Sequence, residues 1–203
     1  MVEVPDYAVV ERLPIDPAKT ALVVVDMQRD FVDADGALSV PGAAGTVLAI
    51  RRLLEWARRS GTLVVFTQDT HREGDPEWRI WPRHAERGTP GWEIVPDLAP
   101  AAGELVFEKV RYDGFYGTGL DHELRRRDIE TLVICGTVAS ICVHYTAASA
   151  GLRWYRVVHP IDALSALTPF DMEAALRQAS FLFQATLTTV DGIIGTEGAA
   201  RRA

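Results

Sequence analysis

Cysteine is scarce in this sequence: Cys135 and Cys142 are the only two among 203 residues. Two thiols seven positions apart exclude a disulfide framework and fit a reducing compartment. Basic charge is in deficit, with 21 Lys and Arg against 28 Asp and Glu and a formal net charge of −7. That excludes a nucleic-acid backbone as the main partner, because such affinity comes from clustered Lys and Arg. Basic residues do gather at Arg51/Arg52, Arg58/Arg59 and Arg125–Arg127, within stretches of helical period whose solvated faces and last turns account for them. The phosphate-binding patterns GxGxxG and GxxxxGK[ST], the GxSxG elbow and internal repeats are missing.

Only Thr131–Leu152 is long enough without Asp, Glu, Lys or Arg to suggest a membrane span. It splits into a β-branched half and an alanine-rich half, interrupted by Gly136, Thr137, Ser140, His144, Thr146 and Ser149. A buried strand, a turn and a buried helix fit it better, so no membrane association is expected. The N-terminus, with Glu3 and Asp6 and no long apolar run, has no signal- or transit-peptide character, and a cytoplasmic location is expected.

What is present is a hydrophobic content of 48% beside 24% charged residues, the balance of one globular domain. The expected domain is the whole chain 1–203, with a core from about 18 to 192, a short N-terminal arm and a frayed tail at Gly195–Ala203. Short β-rich runs alternate with helical stretches, which marks βαβ units and a parallel sheet. The six expected strands are Ala21–Asp26, Thr62–Gln68, Leu105–Lys109, Thr131–Gly136, Arg156–His159 and Ala185–Val190. The expected helices are Gly45–Arg59, Gly119–Arg127, Cys142–Gly151 and Phe170–Phe183. Between Asp69 and Asp97 periodicity vanishes and four prolines accompany Trp78, Trp81 and Trp92, as in a long functional loop.

Ligands of open α/β sheets bind at the carboxyl ends of strands, where this sequence places Asp26, Asp69 with His71, Lys109, and Gly136 leading to Cys142. A cysteine at a helix N-terminus meets unpaired amides that favour thiolate, although a free cysteine also serves as a small buried hydrophobe. Cys135, inside a strand, reads as packing. A carboxylate beside a thiol can take its proton and return it to a leaving amine, and an ammonium can hold the charge. Asp26 and Lys109 suit those roles, though singly each could cap a loop or reach solvent. Asp69 and His71 share one side of an extended segment, and with His84 they offer a ligand set for zinc or another divalent ion, to which Glu77 could add an oxygen. A plain hydrogen-bonded loop would use the same residue types.

Asp26 in VVVDMQRDF, Lys109 in FEKVRY and Cys142 in GTVASICV, in this order, resemble the isochorismatase-like cysteine hydrolases. Asp69, His71 and His84, in DTH and WPRH, resemble the metal site of the nicotinamidase/pyrazinamidase branch. The resemblance runs from about Ala21 to about Leu187. It implies a three-layer αβα, Rossmann-like fold with a six-stranded parallel sheet. It also implies a Cys–Asp–Lys triad that cleaves the C–N bond of a small amide through a thioester and releases ammonia or an amine. Cys142 would be the nucleophile, Asp26 the general base and then acid, and Lys109 the charge-stabilising cation. Backbone N–H groups of Val138 and Cys142 would form the oxyanion hole, after a cis peptide at Thr137–Val138. Phe31, Trp81 and Tyr112 would bind a planar substrate, and a divalent metal, zinc in the first instance, would be held without any organic cofactor. Family members commonly form homo-oligomers, which the apolar Trp154 and Phe181-Leu182-Phe183 would allow.

Departures from the branch are Thr70 in place of a tryptophan between the first two ligands, Ala85 in place of a cysteine after His84, Ser140-Ile141 in place of a more polar or aromatic pair, and a shorter spacing from Lys109 to Tyr112. They lean toward metal-independent hydrolysis of ureido, carbamoyl or other linear amides. A catalytically silent binding module would have lost Asp26, Lys109 or Cys142, and all three are present.

Overall fold

The computed structural model describes residues 6–196; Glu3, and the tail from 197 onward, lie outside the described residues. Eight strands form one sheet: β1 (Val9–Val10), β2 (Thr20–Val25), β3 (Leu63–Asp69), β4 (Leu105–Lys109), β5 (Thr131–Thr137), β6 (Arg156–Pro160), β7 (Leu164–Ser165) and β8 (Thr186–Thr188). The helices are α1 (Arg29–Val32), α2 (Ala43–Ser60), α3 (Leu120–Arg126), α4 (His144–Leu152), α5 (Pro169–Leu182) and α6 (Val190–Ile194).

Every residue of β2 is buried, because the strand is covered on both faces. Leu22 and Val24 enter one core with Ile50, Leu53 and Leu54 of α2, while Ala21, Val23 and Val25 enter the other with Leu124 of α3, Ala147 of α4 and Leu176 of α5. Period-two alternation therefore builds two cores on one sheet, which is the three-layer αβα arrangement. Helix α2 buries Ala43, Thr46, Ile50, Leu53, Leu54 and Ala57, a stripe at i, i+3, i+4 spacing. Left-handed Gly61 stops it by donating its N–H to Ala57 O, the usual glycine cap.

All strand pairs are parallel, in the order β1-β8-β6-β5-β2-β3-β4, with β7 also on β5. The sheet thus has eight strands among the described residues where six were expected. The two additional strands have two residues each, too few to show a hydrophobic period. β7 continues along β5 where β6 leaves it: Thr131–Val133 pair with β6, and Gly136 and Thr137 pair with β7. Two further expectations are corrected. The last strand stops at Thr188, because the Thr189 side chain accepts from Gly192 N and caps α6. The helix expected to open at Cys142 is preceded by a π-helical turn, Ala139–Val143, that holds Cys142, and α4 begins at His144.

The chain passes from β2 outward to β3 and β4, then returns to the other side of β2 with β5. The order therefore reverses between β2 and β5, the switch point where open α/β sheets leave a crevice. The basic clusters lie on helix surfaces and are paired: Arg51 with Glu55, Arg58 with Glu104, Arg126 with Glu123. Among the described residues no helix is long and apolar enough to cross a membrane.

Candidate active site

Strand register brings the polar residues to one end of the sheet. Val25 is opposite both Thr67 and Gly136, and Asp69 is opposite Lys109. Asp26 follows β2 in a left-handed conformation, φ +49°, rare for a residue with a Cβ and found where function or packing over-determines the backbone. Its amide donates to Thr67 O at 3.2 Å, and its Oδ1 accepts from Thr67 Oγ1 at 2.7 Å. On the neighbouring strand Gly136 has φ +115°, and a Cβ there would lie 2.2 Å from Val25 O. Only glycine lets β5 approach β2 this closely. The Thr137–Val138 peptide that follows is cis.

Lys109 is the hub. Its Nζ lies 2.7 Å from Asp26 Oδ2 and donates to Asp69 Oδ1 at 3.0 Å and to Cys142 Sγ at 3.7 Å. The ammonium approaches Asp26 Oδ2 off the angles of a hydrogen bond, so that oxygen is buried without a hydrogen-bond partner. Burial alone would strip the proton from Lys109, but Asp26 and Asp69 outweigh it and hold the ammonium well above its ordinary range. Burial pushes Asp26 up despite the Lys109 charge. Burial also pushes the Cys142 thiol well above its ordinary range, against the pull of Lys109. Loss of hydration thus favours the thiol form of Cys142, against the thiolate that unpaired helix amides would favour.

The second cluster shares Asp69. Asp69, His71, Glu77 and His84 are all buried, with one ligand atom of each within 4.8 Å of the others. His71 Nε2 lies 3.0 Å and His84 Nε2 3.5 Å from Asp69 Oδ2. The opposite nitrogens are engaged elsewhere, His71 Nδ1 with Asp75 Oδ2 at 3.0 Å and His84 Nδ1 with Pro82 O at 2.6 Å. A carbonyl only accepts, so His84 Nδ1 carries a proton and its Nε2 is the nitrogen turned toward Asp69. Second-partner bonds from Nδ1 to a carboxylate and a carbonyl are the pattern of metal-ligating histidines, so the donor set fits zinc or a similar divalent ion. Burial works against ionisation of Asp69, but Lys109, His71 and His84 hold its carboxyl far below the carboxylate range.

Both clusters border one narrow cleft, lined by Asp69, Glu77, His84 and Cys142. Phe31, Trp81 and Tyr112 line it as well, with Ile141 and with Leu38, Val40 and Leu167, the last three of which no sequence pattern singled out. Trp81 Nε1 donates to Tyr112 OH at 3.0 Å, and Phe31 meets the edge of His84 with centroids 5.6 Å apart. Val138 lines the same cleft beside Cys142. Every residue singled out as catalytic, metal-ligating or substrate-binding thus lies in this one region.

Residues missed at the sequence level hold these groups in place. Gln28 is fully buried; its Oε1 accepts from Asp69 N at 2.7 Å while its Nε2 donates to Asp69 O at 2.8 Å and Trp92 O at 2.9 Å. Asp30 accepts from Ala85 N at 2.8 Å and so ties down the loop beside His84. Thr70, where a tryptophan was expected, accepts from Trp92 Nε1 at 2.9 Å and donates to Gln68 O. Thr67 alone had a usable signal, since it lies two residues before Asp69 on the same face of β3.

The fold and this strand-end site define a three-layer αβα domain with a buried thiol at its switch point, and comparison with known proteins makes the class specific. Residues 20–191 match the Isochorismatase domain, and the chain belongs to the isochorismatase-like hydrolase family. It is 31% identical to "Ureidoacrylate amidohydrolase RutB" of Caulobacter vibrioides, over 89% of this chain and 92% of that protein. Among solved structures, N-carbamoylsarcosine amidase from Thermoplasma acidophilum superposes with a TM-score of 0.78 at 42% identity, covering 85% of this chain and 97% of that one. Pyrazinamidase of Pyrococcus horikoshii in complex with zinc superposes with a TM-score of 0.80 at 31% identity, covering 84% and 99%.

Proposed function

We propose that the protein is a cysteine amidohydrolase that cleaves the C–N bond of a small, uncharged carboxamide, with nicotinamide as the first candidate substrate. The observation that carries this reading is the contact set around Lys109, which joins Asp26 and the Cys142 thiol at the floor of a cleft. The named relatives act on amides, as their names state.

Because burial favours the thiol form of Cys142, attack is coupled to proton transfer. Cys142 Sγ bonds to the carbonyl carbon as its proton passes to Asp26 Oδ2, the buried oxygen with no hydrogen-bond partner. Backbone N–H groups of Val138 and Cys142 receive the oxyanion, which now carries the negative charge that Asp26 gave up on taking the proton, and Lys109 beside the site helps to offset it. Asp26 returns the proton to the nitrogen as the C–N bond breaks, so ammonia or an amine leaves and a thioester remains. Asp26 then takes a proton from water, hydroxide adds to the thioester, and the acid departs as Cys142 is reprotonated.

Asp69, His71, Glu77 and His84 would hold the metal. When bound, a divalent ion supplies Lewis acidity and an open coordination position that orients a substrate lone pair. The side chains around the acyl group are Phe31, Leu38, Val40, Trp81, Ile141 and Leu167, and no arginine lines the cleft among the described residues. This favours a planar apolar acyl group over one bearing a carboxylate. A second reading, a ureido or carbamoyl amide, is favoured by the likeness to RutB and to N-carbamoylsarcosine amidase.

Ammonia release from nicotinamide, ureidoacrylate and N-carbamoylsarcosine, with zinc-loaded and chelated protein, separates the two. Nicotinamide turnover that falls on chelation is expected. Turnover confined to the carboxylate-bearing amides, insensitive to chelation, would establish the second reading.

A further inference from the structure

Asp26 Oδ2 is buried with no hydrogen-bond partner, the one such side-chain nitrogen or oxygen among the described residues. Its close neighbour is the Lys109 ammonium, 2.7 Å away in an ion pair. The aligned hydrogen bonds of Asp26 fall elsewhere: Thr67 Oγ1 donates to Oδ1 at 2.7 Å, and the Thr67 carbonyl accepts from the Asp26 amide at 3.2 Å. A carboxylate only accepts, so the hydroxyl proton of Thr67 is committed to Oδ1. The side chain cannot easily turn away, because a β-branched residue has few rotamers. Its methyl also packs close to Gly114, where an added Cβ would lie 3.0 Å from Thr67 Cγ2.

We propose that Thr67 is a positioning residue that selects Oδ2 as the basic atom of the site, by occupying Oδ1 and the Asp26 amide and so presenting Oδ2 to the Cys142 thiol and the Lys109 ammonium. The inference rests on Asp26 being the base of the reaction above. The groups facing Asp26 are Lys109 from β4, Asp69 from β3 and Cys142 from the π-helical turn; Thr67 adds a neutral donor to this charged set. In the step concerned, the Cys142 proton passes to Oδ2 as sulfur bonds to the electrophilic carbon, leaving the Asp26 carboxyl neutral, with its Oδ1 still bonded to Thr67. Without the hydroxyl, either oxygen could take the proton and the carboxyl would be free to turn.

Thr67→Val keeps the β-branched shape and removes the hydroxyl, and Thr67→Ser restores it. Iodoacetamide alkylation over a pH series, read separately at Cys142 and Cys135 by peptide mass spectrometry, tests the assignment without requiring the substrate. Cys135 is fully buried on β5, so its labelling reports loss of the fold. In Thr67→Val, Cys142 labelling is expected to slow by about ten- to a hundred-fold, the range for one hydrogen bond to a charged group. Its acid limb should also move to higher pH, because the hydrogen bond from Thr67 lowers the proton affinity of Asp26. Thr67→Ser should restore both rate and limb. A Thr67→Val profile that superposes on wild type, or a Thr67→Ser profile as impaired as valine, would overturn the proposal. Rapid Cys135 labelling in Thr67→Val would also overturn it, by showing Thr67 to be merely structural. Wild-type Cys142 no more reactive than Cys135 would instead remove the nucleophile on which the proposal rests.

Discussion

Lys109 is a charged side chain with 1% of its surface exposed, kept charged by Asp26 and Asp69. Removing one partner of a buried ionic set leaves the other charges uncompensated, at a cost of about 3–5 kcal/mol. Lys109→Met is therefore expected to lower stability by about that amount in urea unfolding and to abolish amide hydrolysis; a variant as stable as wild type would contradict the ionic account. His159 gives a pH prediction independent of catalysis. Burial pushes it down from 6.5 to about 4, and its Nδ1 donates to Ile134 O at 2.9 Å. The folded pKa is depressed, so between 6.5 and about 4 the unfolded chain binds the proton and the folded chain does not. The stability this contributes is full above 6.5 and is lost as pH falls through that window. At about 1.4 kcal/mol per unit this is about 3 kcal/mol. His159→Asn, which can donate to the same carbonyl without titrating, should show a flatter fall in unfolding free energy over that range. At this scale the sequence was most legible where residue type and strand-end position coincided, as for Asp26, Lys109 and Cys142. Gln28 escaped because nothing in a glutamine announces which peptide it will hold, while Thr67 was marked only by its place two residues before Asp69 on one face of β3.

Strands whose hydrophobic runs are long and bounded by turn residues could be read directly, and β2, β3, β4, β5 and β6 lie within a residue of their expected limits. The two-residue strands β1 and β7 could not, because a strand that short exists only through its partners. The same holds for the π-helical turn Ala139–Val143, whose i, i+5 bonding leaves no mark on a 3.6-residue pattern. The element most sensitive to substitution is the β2–β5 pair at Gly136. Gly136→Ala forces a Cβ against Val25 O at φ +115°, and left-handed strain plus overpacking costs about 2–5 kcal/mol. Such a variant should melt well below wild type, and what remains folded should have lost activity, since Val25 precedes Asp26. A melting temperature equal to wild type would mean that the two strands are not held this closely.

For the whole molecule, the decisive feature is that the switch point of the sheet gathers two clusters around one shared residue. Asp69 gives Oδ1 to Lys109 and turns Oδ2 toward His71 and His84. His84→Ala is thus expected to lower the zinc content of the purified protein while leaving iodoacetamide labelling of Cys142 unchanged. Asp69→Asn should disturb both; an Asp69→Asn protein whose Cys142 labelling matches wild type would show the clusters to be uncoupled. Trp154 is 92% exposed and Phe181 and Leu182 are 60% exposed, so sedimentation velocity is expected to show a species heavier than one chain, and a monomer at working concentration would contradict self-association. All turnover is expected to pass through sulfur at position 142. Ammonia release by Cys142→Ala, measured beside the wild type on the same amide panel, decides this. The variant should stay at the uncatalysed background for every amide the wild type hydrolyses; an amide turned over equally by both proteins would contradict a sulfur nucleophile.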